Sequence, residues 1–86
     1  MSSFPAITGK QLLKLFIKDG WVEKRRTRHC VCLVKADLSG ITRVAMVDDT
    51  RAVLPDGTLH DILGVKQTGI GRKGLKELID KYGIGK

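Results

Sequence analysis

Residues Thr8 to Gly20 constrain the fold more than any other stretch, because both ends and the buried stripe of one helix are written there. Thr8 and Gln11 stand three apart in the capping-box pattern, in which a hydroxyl and a side-chain amide satisfy backbone N–H groups at the helix start. Ile7 just before the cap is set to staple onto Leu12. The spacing predicts a helix of about three turns beginning at Gly9, with Leu12, Leu13, Phe16 and Ile17 on one face. Lys10, Lys14 and Lys18 take solvent positions, and Gly20 supplies a left-handed stop. The stripe reads as a core face rather than a membrane or cofactor surface.

Strand signals follow. Trp21 to Arg26 is expected as a first strand, Thr27 and Arg28 as a tight connection, and His29 to Lys35 as a second strand. A turn over Asp37 to Gly40 then leads to a third strand, Ile41 to Val47. Three consecutive strands make an antiparallel meander. Both parities of the middle strand are apolar, Val31 and Leu33 on one and Cys30, Cys32 and Val34 on the other, so alternation alone leaves open which face meets the helix. Beyond the acidic pair Asp48 and Asp49, residues Pro55 to Thr58 signal a second helix carrying Leu59, Ile62 and Leu63 and ending near Gly64. A third is expected from about Arg72 to Tyr82, with Leu75, Leu78, Ile79 and Tyr82 on one face and Gly83 as its stop. The class is α+β, and 86 residues describe one small domain.

Charge is uneven along this order. Residues 1–35 hold eight Lys/Arg against two acids, residues 36–65 two against five, and residues 66–86 six against two, giving +6, −3 and +4 of a total of +7. Basic ends favour a polyanionic partner over a neutral metabolite. No apolar run reaches membrane-span length and Met1 to Ala6 lacks a signal-peptide pattern, so a cytoplasmic protein with no membrane partner is expected. Cys30 and Cys32, one residue apart on a strand, project from one face and are expected as free thiols. With His29 and His60 they lack the usual zinc spacings, so neither a metal nor a small-molecule cofactor is expected.

His29 is the candidate catalytic residue. It follows the basic run Lys24, Arg25, Arg26 and Arg28 and opens the middle strand, where a side chain lies at the sheet's rim and stays wet. Histidine titrates near neutrality, and an imidazole beside phosphate-binding cations is suited to take the proton from a ribose 2'-hydroxyl. Arg25, Arg26 and Arg28, with Lys24 at the edge and Lys10 on the first helix, are the candidate RNA contacts, since guanidinium groups offer paired donors to phosphate oxygens. His60, beside Asp61, reads as a solvent-facing residue, and Asp48 and Asp49 read as turn formers. The chain therefore reads as a metal-independent endoribonuclease.

Two features of the C-terminal part compete with that reading. Gly69 to Gly74 spells the dinucleotide-binding pattern, but without a preceding strand or an acidic residue about twenty positions on. Helix, Gly69-Ile70-Gly71, helix is closer to a helix-hairpin-helix, whose glycine-rich turn offers amides to phosphates. Arg72 and Lys73 are then secondary phosphate contacts, and the alternative function is a non-catalytic nucleic-acid binder.

Several short strings, in order, resemble the HicA family, small messenger-RNA-cleaving toxins of bacterial toxin–antitoxin pairs. The family's Ser-Gly-Lys-Glu-Leu is matched by Thr8, Gly9, Lys10, Gln11 and Leu12, and its Asn-Gly-Phe by Asp19, Gly20 and Trp21. Its Gly-Ser-His falls on Thr27, Arg28 and His29, while Gly-Thr-Leu and an Ile-Leu pair fall on Gly57, Thr58, Leu59, Ile62 and Leu63. The likeness covers about residues 7–70, leaving a helical extension over about 71–86. Departures are Thr27 and Arg28 in place of Gly-Ser, and Val47 and Asp49 where the family commonly has Pro and His. The resemblance implies a double-stranded-RNA-binding-domain-like fold of helix, three strands and helix, His29 as the catalytic group, mRNA as substrate and a HicB-type antitoxin as partner.

Overall fold

In the computed structural model, which describes residues 6–36, 39–64 and 66–83, the elements run α1 (Gly9–Lys18), β1 (Val22–Arg26), β2 (Cys30–Ala36), β3 (Thr42–Asp48), α2 (Asp56–Leu63) and α3 (Gly71–Tyr82). The strands form one antiparallel sheet in the order β1-β2-β3, so the chain is an α+β protein whose sheet is flanked by helices. Asp37 and Leu38 of the expected turn lie outside the described residues.

The caps of α1 form as the residue pattern dictates. Thr8 Oγ1 accepts from the Gln11 N–H at 3.1 Å, and Gln11 Oε1 accepts from the Thr8 N–H at 2.9 Å. Gly20 leaves the helix at φ 104°, a conformation that favours glycine. The buried stripe differs from the expected one by a small rotation: Leu12, Leu13, Leu15 and Phe16 are buried while Ile17 is 49% exposed. α3 packs on α1 as well as on α2. Phe16 and Trp21 meet with ring centroids 5.6 Å apart, joining the helix to the start of β1.

The register resolves the parity of the middle strand. Val31 pairs with Val47 and Leu33 with Ala45, and all four are buried beneath the helices. Cys30, Cys32 and Val34 therefore face the uncovered side, and both cysteines are free thiols. β1 is exposed along its whole length and carries a register shift between Glu23 and Arg25, which turns Arg25 to the face of Cys32 and Arg26 to the face of Val31. One core unites α1, the inner sheet face, Leu59, Ile62 and Leu63 of α2, and Leu75 and Leu78 of α3, with Ile79 and Tyr82 packed at its margin. Thr68 ties the α2–α3 turn to α2 by donating from Oγ1 to the Ile62 carbonyl at 2.9 Å. Gln67 closes the free edge of β3, its Oε1 accepting from the Met46 N–H at 2.8 Å.

α3 begins at Gly71, φ 69°, one residue before the expected Arg72. The residues before Gly69 form turns after α2, so the glycine pattern there has no strand to open from. Among the described residues no helix is long and apolar enough to cross a membrane.

Candidate functional site

Antiparallel order brings the end of β1, the start of β2 and the end of β3 to one edge of the sheet, and the N-terminus of α1 lies against the same edge. The contact is close because residue 9 is glycine. A Cβ there would stand 1.9 Å from the Asp48 carbonyl oxygen, and the next residue, Lys10, donates its backbone N–H to the Thr50 carbonyl at 3.0 Å. The segment after β3 is fastened to the segment before α1 by the Leu54 N–H donating to the Ile7 carbonyl at 2.9 Å, next to a Thr8–Val53 bridge.

His29 stands at this edge, one residue ahead of β2, with an exposed side chain. Its carbonyl accepts from the Asp49 N–H at 2.8 Å, which pins the backbone and leaves the ring free of the ladder. The groove beside it, about 510 Å³, is lined by His29, Asp48, Asp49, Thr50 and residues 52–55. Its walls join the two carboxylates and Thr50 to the apolar residues 52–55, where the residue order alone suggested a cationic setting for His29.

Asp49 connects that groove to the cations. Lys10 Nζ lies 2.8 Å from Asp49 Oδ1, the Arg26 guanidinium bonds Asp49 Oδ2, and Arg26 also reaches Glu23 Oε1 at 3.2 Å. Hydrogen bonds from Lys10 and then Arg26 hold the Asp49 carboxyl below its ordinary range, and those from Asp49 and Glu23 push the Arg26 guanidinium up. Asp48 is engaged differently. The Cys30 thiol donates to Asp48 Oδ1 at 3.0 Å, and this bond, with burial second, pushes the Cys30 pKa up and keeps the group a thiol at neutral pH.

Of the expected contact residues, Lys10 and Arg26 converge on the His29 edge through Asp49. Arg28 is exposed in the β1–β2 turn, whose shape is held by Thr27 Oγ1 accepting from the Cys30 N–H at 3.1 Å. Arg25 stands on the opposite sheet face, and Lys24 falls at the register shift. Arg72 and Lys73 are exposed in the first turn of α3, while His29, Lys10 and Arg26 belong to the far edge of the sheet. Asp49, read from sequence as a turn former, is the residue that joins α1, β1 and β3. Among the described residues no group of three or more His, Cys, Asp or Glu side chains is arranged to hold a metal ion.

The pairing on Asp49 has a defined pH dependence. Its pKa is depressed in the folded state, so its contribution to stability is complete above the ordinary carboxylate value, about 4, and is lost as pH falls through the depressed value. Denaturant unfolding of the wild type and of Asp49→Asn is expected to show a stability gap that is constant near neutrality and narrows as pH falls below the ordinary carboxylate value. A gap that stays open in acid would mean that charge at Asp49 is not what holds this edge.

Comparison with known proteins gives no match: no family model, no curated protein and no solved structure aligns with the chain.

Proposed function

We propose that the chain is a metal-independent endoribonuclease of the HicA toxin type, with a double-stranded-RNA-binding-domain-like core, messenger RNA as substrate and a HicB-type antitoxin protein as its neutralising partner. The observation that carries this reading is the meeting of an exposed histidine with two cation-bearing elements at one edge of the sheet. His29 accepts the proton of a ribose 2'-hydroxyl, the oxygen attacks the adjacent phosphorus, and the 5'-oxygen leaves with a proton from solvent. The products are a 2',3'-cyclic phosphate and a 5'-hydroxyl. Lys10, Arg26 and Arg28 steady the charge that develops on the phosphate oxygens. Lys10 uses one N–H on Asp49, and Arg26 one on Asp49 and one on Glu23, so each keeps N–H donors to offer a phosphate. Asp48 on the wall of the groove beside His29 disfavours a backbone phosphate there, which favours a route along the Lys10–Arg26 side. DNA lacks the attacking hydroxyl and escapes.

A second reading, a nucleic-acid binder acting through the α2–α3 hairpin, has one observation in its favour: Gly69 and Gly71, at φ 70° and 69°, flank Ile70 as a tight glycine turn demands. One assay separates the two. The pure protein is incubated with RNA and with duplex DNA, with and without chelator. The nuclease reading expects RNA to be cut under both conditions and DNA to remain whole. Duplex DNA retained on the protein with RNA left intact supports the hairpin instead.

A further inference from the structure

The sheet has one face beneath the helices and one with nothing over it among the described residues, and that second face is apolar. Val22, Val34 and Val44 form one row across the three strands, and Arg25, Cys32 and Met46 form the next. Val22 is 60% exposed, Val44 43% and Met46 44%. Beyond Cys32 along the strand lie Cys30 and, opposite it, Asp48. An open face of an antiparallel sheet is ordinarily polar, and this one is not.

We propose that a second copy of the chain covers this face, the two sheets packing face to face about a two-fold axis that runs along β2. The pattern of the rows matches itself under that operation, as an isologous interface requires. Val22 of one copy meets Val44 of the other, and Val34 meets Val34. In the next row the aliphatic stem of Arg25 lies over Met46, and Cys32 falls on the axis opposite its own counterpart. Charge agrees with shape. Arg25 stands on the β1 edge and Asp48 on the β3 edge, so the two-fold carries each Arg25 toward the other copy's Asp48. An acidic or a basic partner protein would satisfy one of these edges and leave the other opposed.

Size sets the strength. Three strands about 4.8 Å apart and three rows about 6.6 Å apart give a footprint of roughly 300 Å² per copy. Stable interfaces bury about 800 Å² per partner, so the association is weak and concentration-dependent. Facing sheets pack about 10 Å apart, beyond the reach of a direct disulfide but within that of a short bismaleimide.

Sedimentation of the full chain from micromolar to millimolar concentration is expected to show a reversible monomer–dimer equilibrium, and a short bismaleimide to trap the dimer. Cys30 and Cys32 both lie on β2 along the axis, each facing its own counterpart, so Cys30→Ser together with Cys32→Ser should abolish trapping while either single exchange retains it. Val44→Lys should weaken association about tenfold or more, because an ammonium must be desolvated at the contact. Arg25→Glu should also weaken it, and Arg25→Glu with Asp48→Lys should restore it, which decides the matter even if Val44→Lys fails to fold. A single monomeric species throughout, no trapping at concentrations where a dimer sediments, or no rescue by the double exchange would overturn the proposal.

Discussion

His29→Ala is expected to lower kcat/KM for RNA cleavage by about 10²–10⁴-fold, the contribution of one positioned base, while the protein keeps its fold. The loss corresponds to roughly 3–5 kcal/mol of transition-state stabilisation. Two features make the variant clean. The side chain is exposed, so its removal opens no cavity, and the bond at this position is from the Asp49 N–H to the residue 29 carbonyl, which alanine keeps. Thermal unfolding should move by no more than the roughly 0.5 kcal/mol typical of a surface change. Cleavage at the wild-type rate would remove His29 from the chemistry. A large loss of stability would mean instead that the ring has a structural task.

Gly9→Ala is expected to destabilise the protein, against the direction that helix propensity gives. Within a helix, alanine is favoured over glycine by about 1 kcal/mol. Here the added methyl would lie 1.9 Å from the carbonyl oxygen of Asp48 and 3.0 Å from Thr50 Cγ2. That oxygen is backbone at the end of β3, so α1 must withdraw from the sheet or β3 must bend. Overpacking of this kind costs about 1–3 kcal/mol, and a clash with backbone belongs at the upper end. The same movement lengthens the Lys10 N–H to Thr50 carbonyl bond and pulls Lys10 away from Asp49. Denaturant unfolding should therefore show the loss with an unchanged m-value, and RNA cleavage should fall with it. A variant as stable as the wild type would show that α1 does not need this close approach.

Local signals made the helices legible. The Thr8–Gln11 box, the glycines at 20 and 83 and the stripe of Leu75, Leu78, Ile79 and Tyr82 act over one to four residues, and each forms as its spacing predicts. What the sequence hides is long-range. Cys30 to Val34 is apolar on both parities, and only the register with Ala45 and Val47 decides which side is core. Strand alternation makes an apparently continuous basic run serve two faces, and the register shift at Lys24 decides that Arg26 rather than Arg25 takes the face of Val31. Asp49 meets Lys10 across 39 residues and Arg26 across 23, distances over which no periodicity speaks. Ile17 stands at the margin of the α1 stripe and is exposed, while Leu15, off that stripe by spacing, is buried.

The central claim is that an imidazole at the sheet edge takes a proton from a ribose hydroxyl. It is tested most directly by following one RNA strand and its fully 2'-O-methylated counterpart with the purified chain and identifying the ends produced. The account predicts that the unmodified strand is cut to 2',3'-cyclic phosphate and 5'-hydroxyl ends while the methylated strand stays intact. Cutting of both strands alike, or of neither, would contradict it.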